Sequence, residues 1–422
     1  MTYYNGLCRR FSFAAIRGQG YTPILMKESR LVKIPSLQRV TTGGRFIPEI
    51  DGLRFVAISS VVLFHLQWLL ASRVGVLVVP DSLLTQSIGH GARGVPLFFI
   101  LSGFVLGLPF AAHYLKGLPK VGLGRYFLRR LTRLEPPYVL SMLICCALLV
   151  ALTQLTARSV LPHLGASLVY IHNVLYGKTS LVNGVAWSLE IEIQFYCLVP
   201  FLSLFFAIRR KAMRRAVLLL AIAGAMAMQF KFPPIAQMPF SPTLRNQSTI
   251  LYYVQYFLTG FLLDDVYLTD WNEAPQSRWQ WDVVSMVGWP LLFLLRHELL
   301  PFALAPIAFL LYCATFRSVI HRRILTSRMI TTIGGMCYTI YLFHAPVISQ
   351  MIKWTGRIHA DGNYYSYFAV QSLLTLSVVV PVSIIYFVLI ERPCMNRDWP
   401  RRLLSHLRRN TSESEARPSL SR

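Results

Sequence analysis

Within EIDGLRFVAISSVVLFHL, residues 49–66, an arginine and a histidine stand eleven residues apart in a run too apolar to carry idle charges. At about 100° per residue, eleven helical steps return almost to the starting direction. Arg54 and His65 therefore share one helix face, roughly 16 Å apart along the axis. If the run spans a bilayer, Arg54 sits at its surface and His65 near mid-depth. An ionisable group at that depth costs on the order of 3 kcal/mol on insertion scales, so it is usually turned into a bundle interior for a purpose. There the imidazole can serve as a general base or a transient group acceptor. A neutral histidine hydrogen-bonded to a neighbouring helix is the structural alternative.

Three further segments carry groups able to do chemistry. GRYFLRRLTRLEPPYVL holds Arg125, Arg129, Arg130 and Arg133, and Arg130 and Arg133 lie three apart on one helical face. Two guanidinium forks on one face suit a phosphate or pyrophosphate, because each binds oxygens bidentately and neither loses its charge. Taken alone, the arginines fit a membrane anchor better. NGVAWSLEIEIQFYCLVP presents Glu190 and Glu192 about 200° apart, so they cannot face one pocket. Glu192 stacks with Ser188 and Tyr196 on a polar face and is the expected site carboxylate; Glu190 is expected near the interface, where water solvates it. IGGMCYTIYLFHAPVI brings a second mid-helix histidine, His344, beside Pro346; it lines the same cavity or packs. An outer segment from Arg158 to Ala186, with His163, His172, Asn173 and Tyr176, is a possible acceptor contact. Near the cytoplasmic end of the last span, Glu391 and Arg392 read as a helix-terminus ion pair.

The elements that must position these groups are membrane helices. With 54% hydrophobic and 14% charged residues among 422, the chain is too apolar for an ordinary soluble domain. Runs long enough to span centre near Ser60, Gly103, Ala147, Val199, Ala223, Phe257, Gly288, Phe309, Leu342 and Val379, which predicts an all-α bundle of about ten transmembrane helices. The runs near Ala223, Gly288 and Phe309 are shortened or kinked by Pro233, Pro290, Pro301 and Pro306. The net charge of +24 follows membrane topology rather than a nucleic-acid partner. Of the 42 Lys and Arg residues, 32 fall on the side of the N-terminus and nine on the other, with Arg54 at a helix start. Both termini are thus expected in the cytoplasm. The seven cysteines show no CxxC or Cys/His ligand spacing, so neither a metal site nor a disulfide is expected.

Three regions are expected: a basic N-terminal tail (1–47), a transmembrane domain (48–395) and a basic, then Ser-rich, C-terminal tail (396–422) on the membrane surface. No cleavable signal peptide is apparent in the first 50 residues, and a translation start at Met26 is an alternative that N-terminal mass spectrometry decides. None of the ten histidines begins an HxxxxD element, and Walker A, GxSxG and HExxH patterns are absent.

The ordered motifs resemble the acyltransferase-3 family of membrane-bound O-acyltransferases, bacterial proteins that modify surface carbohydrates. GLRFVAISSVVLFH matches the family's Arg-x10-His element with Arg54 and His65. FFILSGF matches Phe-Phe-x-x-Ser-Gly with Phe98, Phe99, Ser102 and Gly103, and RRLTRLEP matches Arg-Arg-x-x-Arg-x-x-Pro with Arg129, Arg130, Arg133 and Pro136. WSLEIEIQFY, from Trp187, looks like Trp-Ser-Leu-x-x-Glu-x-Gln-Phe-Tyr and assigns the family's glutamate to Glu192. Ile193 stands where members often carry a second glutamate, and Cys337 replaces a usual serine in GMCYTIYLFHAP. The resemblance covers about residues 48–395.

The resemblance implies an acyl-CoA donor, most simply acetyl-CoA, with its phosphates on Arg130 and Arg133 and with Arg129 beside them. His65 would be base or acyl carrier, Glu192 would orient or reprotonate the site, and Arg54 would guide the donor or balance charge. Ser102, Trp187, His344 and Asn173 are expected around the substrate. The acceptor would be a hydroxyl of an extracytoplasmic carbohydrate, reached directly or through a partner protein, since a fused hydrolase-like domain is not expected here. The bilayer partner would be the bacterial inner membrane. Acylation of a small hydroxylated molecule such as a macrolide uses the same machinery. A proton-coupled transporter relaying through His65, His344 and Glu192 is the alternative of another class, against which stands the lack of inverted repeats.

Overall fold

The computed structural model describes residues 37, 39, 46–73, 78–231, 249–358, 363–396 and 398–400. The two expected tails lie mostly outside them. The described residues are all-α, without a strand. The principal helices are α1 (Pro48–Arg73), α2 (Gly94–Lys116), α3 (Leu123–Leu152), α4 (Ala157–Leu168), α5 (His172–Tyr176), α6 (Trp187–Leu202) and α7 (Lys211–Lys231). They continue with α8 (Val254–Thr269), α9 (Gln280–Leu294), α10 (Leu300–Arg317), α11 (Arg328–Gly335), α12 (Cys337–Thr355) and α13 (Tyr364–Tyr386).

A helix coincides with each of the ten apolar runs, but seven of the described helices are long and apolar enough to cross a membrane: α1, α2, α3, α6 extended by its flanking 3-10 turns to Gly184–Ala207, α7, α10 and α13. Of the other three, α8 has 16 residues and α9 has 15, while α12, at 19, carries His344, Ser349, Gln350 and Lys353. Of these four, His344 alone is buried; Ser349 and Gln350 are half-buried and Lys353 is exposed.

Proline is built into these helices with its cost covered. A helical proline removes the N–H that would pair with the carbonyl four residues earlier, and in hydrocarbon that orphan must find another donor. Pro346 frees the Leu342 carbonyl, which accepts from Asn183 Nδ2 at 2.9 Å. Pro200 frees that of Tyr196, which accepts from the Tyr126 hydroxyl at 3.2 Å. Pro136 frees that of Thr132, which accepts from Trp399 Nε1 at 2.9 Å. Each proline thereby cross-links its helix to another segment, and Trp399 ties the start of the expected C-terminal tail to α3.

Glycine sets the closest helix pair, α2 against α8. A Cβ on Gly103 would collide with the Phe257 carbonyl, and one on Gly260 with the backbone of Ile100 and Phe104. Small residues let backbones approach where lipid offers no hydrophobic drive for association. Phe99 fills the space beside them, with ring centroids 4.8 Å from Phe257 and 5.1 Å from Tyr253. Most of the FFILSGF motif is therefore packing, which leaves Ser102 as its chemical member.

Helix α13 runs into a π-helical turn, Phe387–Glu391, which places Glu391 in the interior at 2% exposure. Such turns, with one extra residue per hydrogen-bonded ring, often redirect a side chain at a functional site. The six described cysteines are free.

Candidate active site

Helices α1 and α12 bring the two mid-helix histidines together. His65 is 6% exposed and His344 fully buried; their ring centroids are 5.0 Å apart, and His344 Nε2 lies 3.2 Å from His65 Nδ1. The backbone assigns the protons. His344 Nδ1 lies 3.0 Å and 2.8 Å from the Ile340 and Tyr341 carbonyl oxygens, which only accept, so in the neutral ring it carries the N–H and Nε2 is an acceptor. His65 Nδ1 faces that acceptor and the Val61 carbonyl oxygen at 2.9 Å, so it too must donate. The lone pair of His65 is left on Nε2, the atom able to take a proton. His344 thereby does for His65 what an orienting group does for a catalytic base: it fixes tautomer and ring plane.

Glu192 is positioned by α2 and α6. Its Oε1 accepts from Ser102 Oγ at 2.7 Å and from the Tyr196 hydroxyl at 2.8 Å, and Arg130 and Arg133 lie within electrostatic reach. Tyr341 stands between the glutamate and the histidines. Its hydroxyl is 2.9 Å from Ser188 Oγ, one turn from Glu192, and donates to the Val185 carbonyl, while its ring centroid is 6.2 Å from that of His344.

Beyond lies a cluster of fixed charge. The Arg130 guanidinium sits 4.0 Å over the Tyr126 ring and 6.0 Å from the Tyr196 ring. The Nε atoms of Arg130 and Arg133 are buried with no hydrogen-bond partner among the described residues. Arg129, expected beside them, is exposed. Arg54 donates to Asp51 Oδ1 at 2.6 Å, and Arg39 donates to the same oxygen at 3.1 Å.

Two readings change in three dimensions, those of Glu190 and Glu391. Glu190, expected to be solvated, is 1% exposed; its Oε2 accepts from the Asn173 backbone N–H at 2.9 Å because the outer segment folds back over α6. Asn173, expected at the substrate, is buried in that tie and donates through Nδ2 to the Trp187 carbonyl at 3.1 Å. Trp187 packs against Tyr253, centroids 5.7 Å apart. Glu391, read as the partner of Arg392, instead accepts from the Thr339 N–H at 3.2 Å and from the Thr339 hydroxyl, and shares a field with Arg133 and Arg39. Asp51, Thr339, Tyr341 and Arg39 escaped the sequence reading. Only Asp51 left a signal, its i,i+3 spacing to Arg54.

The comparison with known proteins follows these groups. The pattern of the acyltransferase-3 family, described as an acyltransferase domain, matches residues 47–392. The chain belongs to this family. It is 23% identical over 378 residues to O-acetyltransferase OatA of Staphylococcus aureus, covering 80% of this chain and 56% of that one. It is 23% identical over 411 residues to the putative peptidoglycan O-acetyltransferase YrhL of Bacillus subtilis, covering 87% and 58%. A putative membrane-bound transacylase, BcsY of Komagataeibacter xylinus, is 25% identical over 367 residues, 82% of each chain. The chain spans a little over half the length of the first two. No solved structure matches. The motifs quoted above for the family resemblance, from Arg54 to Pro346, fall within the matched segment.

Proposed function

We propose that this protein is a membrane O-acetyltransferase that moves an acetyl group from cytoplasmic acetyl-CoA to a hydroxyl of a cell-envelope carbohydrate, in the inner membrane of a bacterium. The observation that carries the reading is the His65–His344 pair, which leaves a basic nitrogen on Nε2 inside the helix bundle. Names among the relatives support the acetyl group and a wall polymer as acceptor.

In the reaction, His65 Nε2 takes the proton of the acceptor hydroxyl as its oxygen attacks the thioester carbonyl. The tetrahedral intermediate collapses with loss of the CoA thiolate, and the proton on His65 returns to the sulfur. During attack His65 is an imidazolium, and its Nδ1–H points at the lone pair of His344 and at the Val61 carbonyl, both of which stabilise the charge. Arg130 and Arg133 hold donor phosphates. Glu192, held by Ser102 and Tyr196, offers a carboxylate for a second hydroxyl or for proton return.

The test is the O-acetyl content of surface glycans in a deletion host complemented with wild type or His65→Ala at matched membrane levels. Ester restored by wild type alone is the expected result. Equal restoration removes His65 from the mechanism, and absence of ester with both redirects the acceptor to secreted small molecules.

A further inference from the structure

We propose that Arg39, which lies ahead of α1 and outside the family-matched segment, is a third phosphate-binding guanidinium of the donor site, acting with Arg130 and Arg133; this rests on the acyl-CoA reading above.

Three observations carry it. First, Arg39 is seated in the bundle: it donates to buried Asp51 at 3.1 Å, its side chain is 14% exposed, and a Cβ on Gly335 of α11 would lie 3.5 Å from its own. Second, Arg39 and Arg133 lie within electrostatic reach of one another, and both act on Asp51 and on Glu391. Third, this neighbourhood is short of anions. Three guanidinium groups, of Arg39, Arg54 and Arg133, face two carboxylates here: Asp51 Oδ1 is shared between Arg39 and Arg54 while its Oδ2 has no partner among the described residues, Glu391 accepts from Thr339, and the Nε atoms of Arg39 and Arg133 are buried without a partner among the described residues.

Guanidinium groups held together away from bulk water repel, since Coulomb energies rise as the effective dielectric falls. Such an arrangement is stable once a multivalent anion completes it, and arginine forks match phosphate oxygens bidentately. A nucleotide bearing a pyrophosphate and a further phosphate monoester supplies that many acceptor oxygens. A lone surface anchor would need none of this burial.

The experiment uses the full chain in detergent and measures CoA affinity for wild type, Arg39→Gln, Arg39→Lys and Asp51→Asn. If Arg39 touches phosphate, Arg39→Gln weakens binding about tenfold, a change of about 1.4 kcal/mol. Arg39→Lys, which keeps the charge, and Asp51→Asn, which keeps the arginine, each weaken it less than threefold. Unchanged affinity in Arg39→Gln overturns the inference. So does a loss in Asp51→Asn as large as in Arg39→Gln, because Arg39 would then act only by bracing Asp51 and Arg54. Wild type that fails to bind CoA removes the donor reading itself, and the role of Arg39 falls with it.

Discussion

Under the proposed function His65 and His344 carry different parts of one task, so their variants should fail differently. His65→Ala removes the proton acceptor, and general-base catalysis is worth on the order of 10²–10⁴ in rate. Turnover is expected to fall at least about a hundredfold, with little change in donor KM. His344→Gln keeps a polar group but loses the aromatic ring that aligns His65; a lost orienting hydrogen bond is worth about 1–1.5 kcal/mol, or roughly tenfold. Steady-state kinetics in detergent separates the two, and equal losses would make His344 a second reacting group. Glu192 differs again: its Oε1 holds both Ser102 and Tyr196, so Ser102→Ala should lower turnover without unfolding the bundle, as the tyrosine bond remains.

Among the elements, the proline-freed carbonyls make a sharp forecast. Asn183→Ala leaves the Leu342 carbonyl of α12 without a donor, two residues before His344. Interhelical hydrogen bonds in membranes are worth about 0.6–1.7 kcal/mol, so a small drop in thermal stability is expected. A larger effect should fall on turnover, because the Asn183 bond holds the turn of α12 that carries the histidine. Thermal unfolding and activity of the same preparation measure both, and a stability loss without an activity loss would show that this bond does not steer His344. Glycine gives the opposite test. Gly260→Leu drives a side chain into the backbone of α2, and the protein should fail to accumulate in membranes.

At the scale of the whole molecule, the outer segment folded over α6 contains a titratable pair. His163 Nδ1 lies 2.9 Å from His172 Nε2, and Tyr176 covers both rings, 4.3 Å from the first and 4.7 Å from the second. Burial pushes the His172 pKa down to about 4, and the neighbouring His163 adds to the effect. Burial also lowers that of His163, with Lys178 second. An imidazole whose folded pKa lies below the ordinary value of about 6.5 binds its proton more readily in the unfolded chain. Its contribution to stability is therefore whole above about pH 6.5 and is lost as pH falls toward 4. Unfolding temperatures across that window should drop on acidification, and His172→Asn should flatten the slope; an unchanged slope would place the acid sensitivity elsewhere. The proposed sidedness has its own check, since acetyl-CoA given only to the outer face of oriented vesicles should support no transfer.

The helix periods and apolar runs were legible because hydrocarbon imposes them: a spanning segment must be helical and apolar, and an ionisable group inside must have a reason to be there. Hence Arg54, His65, Arg130, Arg133, Glu192 and His344 could be picked out one by one, and each family motif could be placed on its helix. What could not be read is which of these groups meet. Spacing along one helix predicts its faces, but nothing in the chain near His65 announces that His344, 279 residues away, will lie against it and decide which nitrogen carries the proton. The burial of Glu190 likewise depends on the return path of the outer segment, and the turn of Glu391 toward Arg133 depends on a π-helical ring invisible in composition. By itself the sequence determined an all-α membrane bundle and the inventory of reactive groups, because both follow from local periodicity and transfer energy. Only the tertiary structure decided partners, tautomers and the seating of Arg39, because those depend on contacts between distant helices whose packing is set by glycine, proline and aromatic shape.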